Sequence, residues 1–160
     1  MAALAYVLLA SIQVIMGAGV LALMMGIPSD VKASLLSVAL GLLVCVFSGY
    51  LYKIMQALLE LLAFWVEAIW GLQVALYFLM NFLSGALIPL SLFPEQMQAV
   101  LAWTPFPYLI AFPTNVILGK VAAVEFFRGV TLMVCWGIAL TFAASLIWKK
   151  GIREYSSVGI

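Results

Sequence analysis

The chain has 160 residues, of which 68% are hydrophobic and 8% are charged, and its formal net charge is +1. Soluble domains carry about 25% charged residues, so this composition predicts an integral membrane protein, much of whose surface is covered by lipid. The near-neutral charge argues against a nucleic-acid partner. The sequence contains no histidine, which removes the commonest general base and the commonest metal ligand.

Charged residues divide the sequence into four predicted membrane-spanning helices. About 20 apolar residues cross a bilayer as a helix. The first uncharged stretch ends at Pro28 and Asp30, which are suited to end one helix and to cap the next. A short polar turn is expected at residues 53–60. The four predicted spans cover residues 2–26, 33–52, 58–88 and 129–148.

Four spans place both ends of the chain on one side of the membrane. A polar tail is expected at residues 149–160, and it begins with Lys149, Lys150 and Arg153. Cytoplasmic loops carry an excess of lysine and arginine, so this cluster predicts that both termini are cytoplasmic. We expect the three cations to anchor the chain at acidic lipid headgroups, and contact with a partner subunit is the alternative.

The region between the third and fourth spans is apolar but rich in proline. Five prolines disfavour a continuous helix there, at Pro89, Pro94, Pro105, Pro107 and Pro113. Pro94 followed by Glu95 favours the start of a short helix. Non-helical backbone at membrane depth must be buried in protein or line water. The sequence therefore predicts an all-α membrane protein of four transmembrane helices, with an outward-facing re-entrant helical hairpin at about residues 89–113.

Five residues are candidates for a transport pathway or its gate: Glu67, Ser84, Gly85, Pro89 and Pro94. An ionisable residue within a membrane span is a functional candidate because its burial is costly. Glu67 follows Glu60 by only seven residues, so a position at the cytoplasmic interface is the alternative. Ser84 and Gly85 end the third predicted span. They are either a hinge or outer gate, or a simple break that lets the backbone turn and pack.

Three motifs in order carry a resemblance to a known family. The first is S-G-x-x-x-P-x-x-x-F-P, and the second combines P-F-x-Y with P-x-x-x-x-x-G. The third is W-x-x-G-x-x-x-Y-x-x-x-G. Residues 59–160 thereby resemble the permease subunits of bacterial type-2 ABC transporters. The matching residues are Ser84, Gly85, Pro89, Phe93 and Pro94, then Pro105, Phe106, Tyr108, Pro113 and Gly119, then Trp148, Gly151, Tyr155 and Gly159.

The resemblance implies a non-catalytic permease subunit of an ATP-driven exporter in the bacterial cytoplasmic membrane. Its partners would be cytoplasmic ATP-binding subunits, a second permease chain and the lipid bilayer, with no nucleic acid. ATP and magnesium would be held by the partner subunits, in keeping with the lack of a G-x-x-x-x-G-K-[ST] motif here. Permeases of this kind have six spans, so a truncated or split permease is expected. The alternative is a small scaffold or assembly protein that transports nothing itself.

Overall fold

The computed structural model describes residues 34–156, and the side chains of residues 34–153. Within that range the chain forms helices and turns and contains no strand, which confirms the predicted all-α class. Short 3₁₀ turns lie at Leu61–Phe64, Leu90–Leu92 and Phe106–Tyr108. The α-helices are α1 (Leu35–Glu60), α2 (Trp70–Leu83), α3 (Glu95–Leu101), α4 (Ala111–Ile117) and α5 (Ala123–Ser156).

Helices α1 and α5 form the frame of the molecule and run side by side in the same direction. Tyr50 hydrogen-bonds to Thr141, and further along both helices the ring of Phe64 packs on Gly151. Leu51 and Met133 are almost fully buried in the core that these helices share. The segments Leu35–Phe64 and Ala123–Arg153 are both long and apolar enough to cross a membrane.

A capping box begins α1 close to the expected start of the second span. The side chain of Ser34 accepts a hydrogen bond from the backbone N–H of Ser37 at 3.1 Å. The side chain of Ser37 accepts one from the backbone N–H of Ser34 at 2.7 Å. These bonds satisfy two N–H groups that would otherwise lack an intrahelical partner. The first predicted span, residues 2–26, lies outside the described residues.

The polar turn predicted at residues 53–60 is wrong, because α1 continues through this segment to Glu60. No glycine or proline interrupts the stretch, so polarity alone does not end the helix. Lys53 and Gln56 instead form a side-chain hydrogen bond of 3.4 Å along the helix.

Helix α2 runs back antiparallel to α1 and covers only part of the predicted third span at residues 58–88. Near its start, Gln73 lines a small cavity with Gln56 and Glu60 of α1. The residue after α2, Ser84, accepts a hydrogen bond from the N–H of Ala111 in α4, close to where α4 packs on the first half of α1. Fourteen residues make a helix of about 21 Å, which is shorter than the roughly 30 Å hydrocarbon core of a bilayer.

Helix α5 is longer at both ends than the predicted fourth span. It begins at Ala123 and continues to Ser156, so the first part of the tail expected at residues 149–160 is helical. The helix continues through Gly151, where the missing side chain leaves room for the ring of Phe64. The three basic residues of the tail therefore sit on a helix.

Candidate functional site

The segment at residues 84–117, which we call the hairpin, lies between the end of α2 and the loop that leads into α5. Ser84 is fully buried, and its carbonyl accepts a hydrogen bond of 3.1 Å from the N–H of Ala111. Gly85 has φ +86°, where a side chain would be strained, and an added Cβ would lie 3.2 Å from the side chains of Ala111 and Leu90. This turn reverses the chain and ties the hairpin's two arms together.

The hairpin's prolines stand where the backbone changes direction. Pro89 precedes a 3₁₀ turn, and its carbonyl accepts from the N–H of Leu92 at 3.0 Å. Pro94 is the N-cap of α3, and its carbonyl accepts from Gln98 at 3.0 Å. The predicted helix start at Pro94 is thereby confirmed. Pro113 lies in the first turn of α4, where its missing N–H costs no hydrogen bond.

Side chains from both long helices bind the backbone of the hairpin. Ser48 of α1 donates its hydroxyl to the carbonyl of Tyr108 at 2.7 Å and to that of Val44 at 2.9 Å. The indole of Trp136 in α5 donates to the carbonyl of Trp103 at 2.9 Å. These two bonds satisfy carbonyls that the hairpin's short helices leave open.

Sequence reasoning did not assign Ser48 or Trp136 to the site. The available signal was weak: a single small hydroxyl and a single indole within otherwise apolar runs. Neither residue belongs to the three motifs that carry the resemblance. Only the packing of the hairpin between α1 and α5 identifies what these side chains bind.

Tyr108, the last residue of the P-F-x-Y motif, is the buried centre of the hairpin. Its hydroxyl donates to the carbonyl of Ala102 at 2.7 Å, and its ring meets Phe112 edge to face at 5.4 Å. The ring and the hydroxyl of Tyr108 therefore both bind within the hairpin.

Two glycines of the long helices let the hairpin approach closely. A Cβ added at Gly129 of α5 would lie 2.3 Å from the ring of Phe112. A Cβ added at Gly41 of α1 would lie 2.3 Å from the side chain of Ile117. The backbones of α1 and α5 at these two glycines are therefore in direct contact with side chains of the hairpin.

Glu67 lies apart from the other four candidate residues. It is an exposed residue in the non-helical link between α1 and α2, whereas Ser84, Gly85, Pro89 and Pro94 lie in or next to the hairpin. The expectation that Glu67 sits within a helical span is wrong, because the chain leaves the helix at Phe64 and re-enters it at Trp70.

The basic candidates lie at the same end of the molecule as Glu67. Lys149, Lys150 and Arg153 are all exposed, and the Lys150 ammonium lies 5.9 Å from the ring centre of Trp65. Phe64 packs edge to face on Trp148 at 5.6 Å. Trp148 and Gly151 of the third motif therefore hold the link against α5.

The contacts of the described residues are mainly apolar packing and hydrogen bonds. Among its residues, no cluster of three histidine, cysteine or acidic side chains could hold a metal ion. Every buried side-chain nitrogen or oxygen described has a hydrogen-bond partner. The buried polar side chains of the hairpin are thus all hydrogen-bonded, and a few polar contacts join it to both long helices.

A comparison with protein families gives a match that covers nearly the whole chain. The model of the ABC-2 family transporter protein family matches residues 4–159. This match extends beyond residues 59–160, where the sequence motifs lie, and includes the first predicted span. No curated protein and no solved structure matches the chain significantly. The chain belongs to the ABC-2 family transporter proteins.

Proposed function

We propose that this chain is the non-catalytic permease subunit of an ATP-driven exporter, and that its hairpin is the outer gate. Family membership supports a permease-type role and association with ABC ATP-binding components. The observation that carries the gate assignment is the contact between the hairpin and the middle of the long helices. Energy would reach the gate through rigid-body tilting of α1 and α5.

The depth of the hairpin supports a re-entrant arrangement. Ser48, which binds the hairpin at Tyr108, is the fourteenth residue of α1. At 1.5 Å per residue this contact lies about 20 Å from the start of the helix. Non-helical backbone at such a depth needs protein partners, and Ser48 and Trp136 supply them. The initial span predicted at residues 2–26 and the two long helices would make three spans, and α2 continued by the hairpin would complete the proposed count of four.

The opposite end is the proposed contact for ATP-binding subunits. The link between α1 and α2 carries Glu67, and the adjoining part of α5 carries Lys149, Lys150 and Arg153. Phe64 is clamped by Trp148 and Gly151, so force applied to the link would be passed directly to α5. This end would face the cytoplasm of a bacterial cell, with both termini on that side.

A scaffold or assembly protein without transport of its own is the second candidate. The three matched motifs favour the permease, because each holds a specific contact of the hairpin or of the opposite end. The two candidates differ in what they bind: a permease must hold an ATP-binding subunit.

Purification of the tagged chain from its native membrane in mild detergent tests the proposal. Mass spectrometry of the associated proteins is expected to identify an ATP-binding subunit and a second permease chain. A second chain of different sequence would identify a heterodimer and a source of further spans. Recovery of the chain alone, or within a complex lacking an ATP-binding subunit, would contradict the permease assignment and favour the scaffold.

A further inference from the structure

A cavity of about 340 Å³ opens between the hairpin and the first turns of α5, and it carries both charged and apolar walls. Tyr108 and Phe112 contribute aromatic surface. Lys120 and Arg128 contribute two positive charges, and Glu125 contributes one negative charge. The ionisable side chains of the lining therefore sum to a net charge of +1.

The turn after α4 holds Lys120 at this cavity. Gly119 has φ +67°, and its N–H bonds to the carbonyl of Val116 at 3.0 Å. The N–H of Lys120 bonds to the carbonyl of Asn115, also at 3.0 Å. These are the two bonds of a Schellman motif, which ends the helix and directs the next residue. Asn115 itself lines the cavity.

Arg128 is held on the other wall by an aromatic ring. Its guanidinium lies 5.1 Å from the ring centre of Trp103, and this cation–π contact orients the side chain. Arg128 also lines the cavity itself, so its positive charge lies beside the space that a ligand would occupy.

An apolar cavity of about 250 Å³ adjoins the charged one. Four residues line both cavities, namely Ala102, Tyr108, Phe112 and Asn115. The second cavity extends under the hairpin, towards Leu90 and Leu101. A charged chamber beside an apolar one is complementary to a molecule with an anionic head and a hydrocarbon tail.

The site lies where α5 passes from polar to apolar surroundings. The last charged residue before the tail is Arg128, and an uncharged run follows from Gly129 to Trp148. Cations at such a boundary attract anionic lipid headgroups. We propose that this cavity binds the phosphate of an anionic phospholipid between Lys120 and Arg128, with an acyl chain against the adjoining apolar cavity. This site does not depend on the chain being a transporter.

The test is photolabelling of the full-length chain in phosphatidylcholine vesicles. A small fraction of the lipid carries a diazirine near the glycerol, and this photoreactive lipid is either phosphatidylglycerol or phosphatidylcholine. The labelled residues are mapped by mass spectrometry. We expect phosphatidylglycerol to label the peptides around Phe112 and Val121 several-fold more than the choline lipid does. Equal labelling of these peptides by both lipids would overturn the proposal.

Charge variants show whether this preference comes from the two cations. The double variant Lys120→Gln, Arg128→Gln should abolish the preference for phosphatidylglycerol. The control is Lys149→Gln, Lys150→Gln, which removes the same charge at the other end of the molecule and should preserve the preference. Glu125→Gln should raise the preference, so the proposal stays testable even if the first pair misfolds. A preference unchanged by Glu125→Gln and by the first pair would refute it. Competition by soluble glycerol phosphate at the lipid's concentration would assign the cavity to a soluble phosphate and refute the lipid assignment.

Discussion

At the residue scale, some of the closest contacts among the described residues are those between a glycine of α5 and an aromatic ring. A Cβ at Gly151 would lie 2.3 Å from Cδ2 of Phe64, in contact with a ring that Trp148 also holds. A Cβ at Gly71 would meet nothing within 4 Å. The same substitution therefore has opposite consequences at these two positions.

Gly151→Ala is expected to lower the free energy of unfolding by about 1–3 kcal/mol, because the new methyl group overpacks the site. Denaturation in mixed detergent micelles, followed by circular dichroism, measures the change. Gly71→Ala is the control and should be neutral or slightly stabilising, since alanine is the better helix former. Addition of Phe64→Leu to Gly151→Ala should recover part of the loss. Equal effects of the two glycine substitutions would contradict the packing described.

The buried hydroxyl of Ser48 is expected to contribute more to the free energy of unfolding than an exposed hydroxyl does. Ser48→Ala leaves the carbonyl of Tyr108 without this donor and is expected to cost about 1–2 kcal/mol of unfolding free energy. Ser145→Ala makes the same chemical change at an exposed position, where the hydroxyl bonds only within its own helix. It should cost less than about 0.5 kcal/mol in the same denaturation experiment. An equal cost for both would show that the Ser48 bond contributes nothing specific.

The hairpin is the element whose position in the membrane decides the topology. Both native cysteines are free, so each can be replaced by alanine to give a background without thiols. Met97→Cys places a thiol on the exposed side of α3, and Ile152→Cys places one at the far end of α5. In intact cells a membrane-impermeant maleimide should label Met97→Cys, and should label Ile152→Cys only after permeabilisation. The reverse pattern would invert the proposed orientation.

Sequence reasoning succeeded at the element scale where prolines and glycines determine the backbone. The start of α3 at Pro94 follows from the chemistry of proline, as does the absence of a continuous helix through residues 89–113. The predicted helix ends are wrong at residues 53–60 and 149–156, because charged residues do not end the helices there. Charge marks where a helix meets water, whereas glycine, proline and capping bonds decide where it stops.

The contacts that hold the hairpin could not be predicted from the sequence. Ser48 and Tyr108 are 60 residues apart, and nothing local in either segment specifies that they meet. Trp136 and Trp103 are likewise separated by 33 residues. The position of Glu67 outside a helix also escaped prediction, because an apolar neighbourhood of that length is consistent with an unbroken span.

The molecule as a whole presents apolar surface along both long helices. Leu43 and Ile138 are each more than 60% exposed, and an apolar groove of about 530 Å³ lies between α1 and α5. Such a surface is covered by lipid or by other membrane helices. The two parallel helices contact the hairpin from their first turns to their middle and hold the link between α1 and α2 at their far end, which is the geometry that the proposed tilting requires.

The accessibility of the hairpin during ATP turnover tests the central proposal most directly. The chain carrying Met97→Cys in the cysteine-free background is purified with its ATP-binding subunits and reconstituted in vesicles. The rate of maleimide labelling is then compared without nucleotide and with ATP and vanadate. We expect a several-fold change at Met97→Cys and none at Val124→Cys, at the exposed start of α5. An identical rate at Met97→Cys in both states would contradict the assignment of the hairpin as the outer gate.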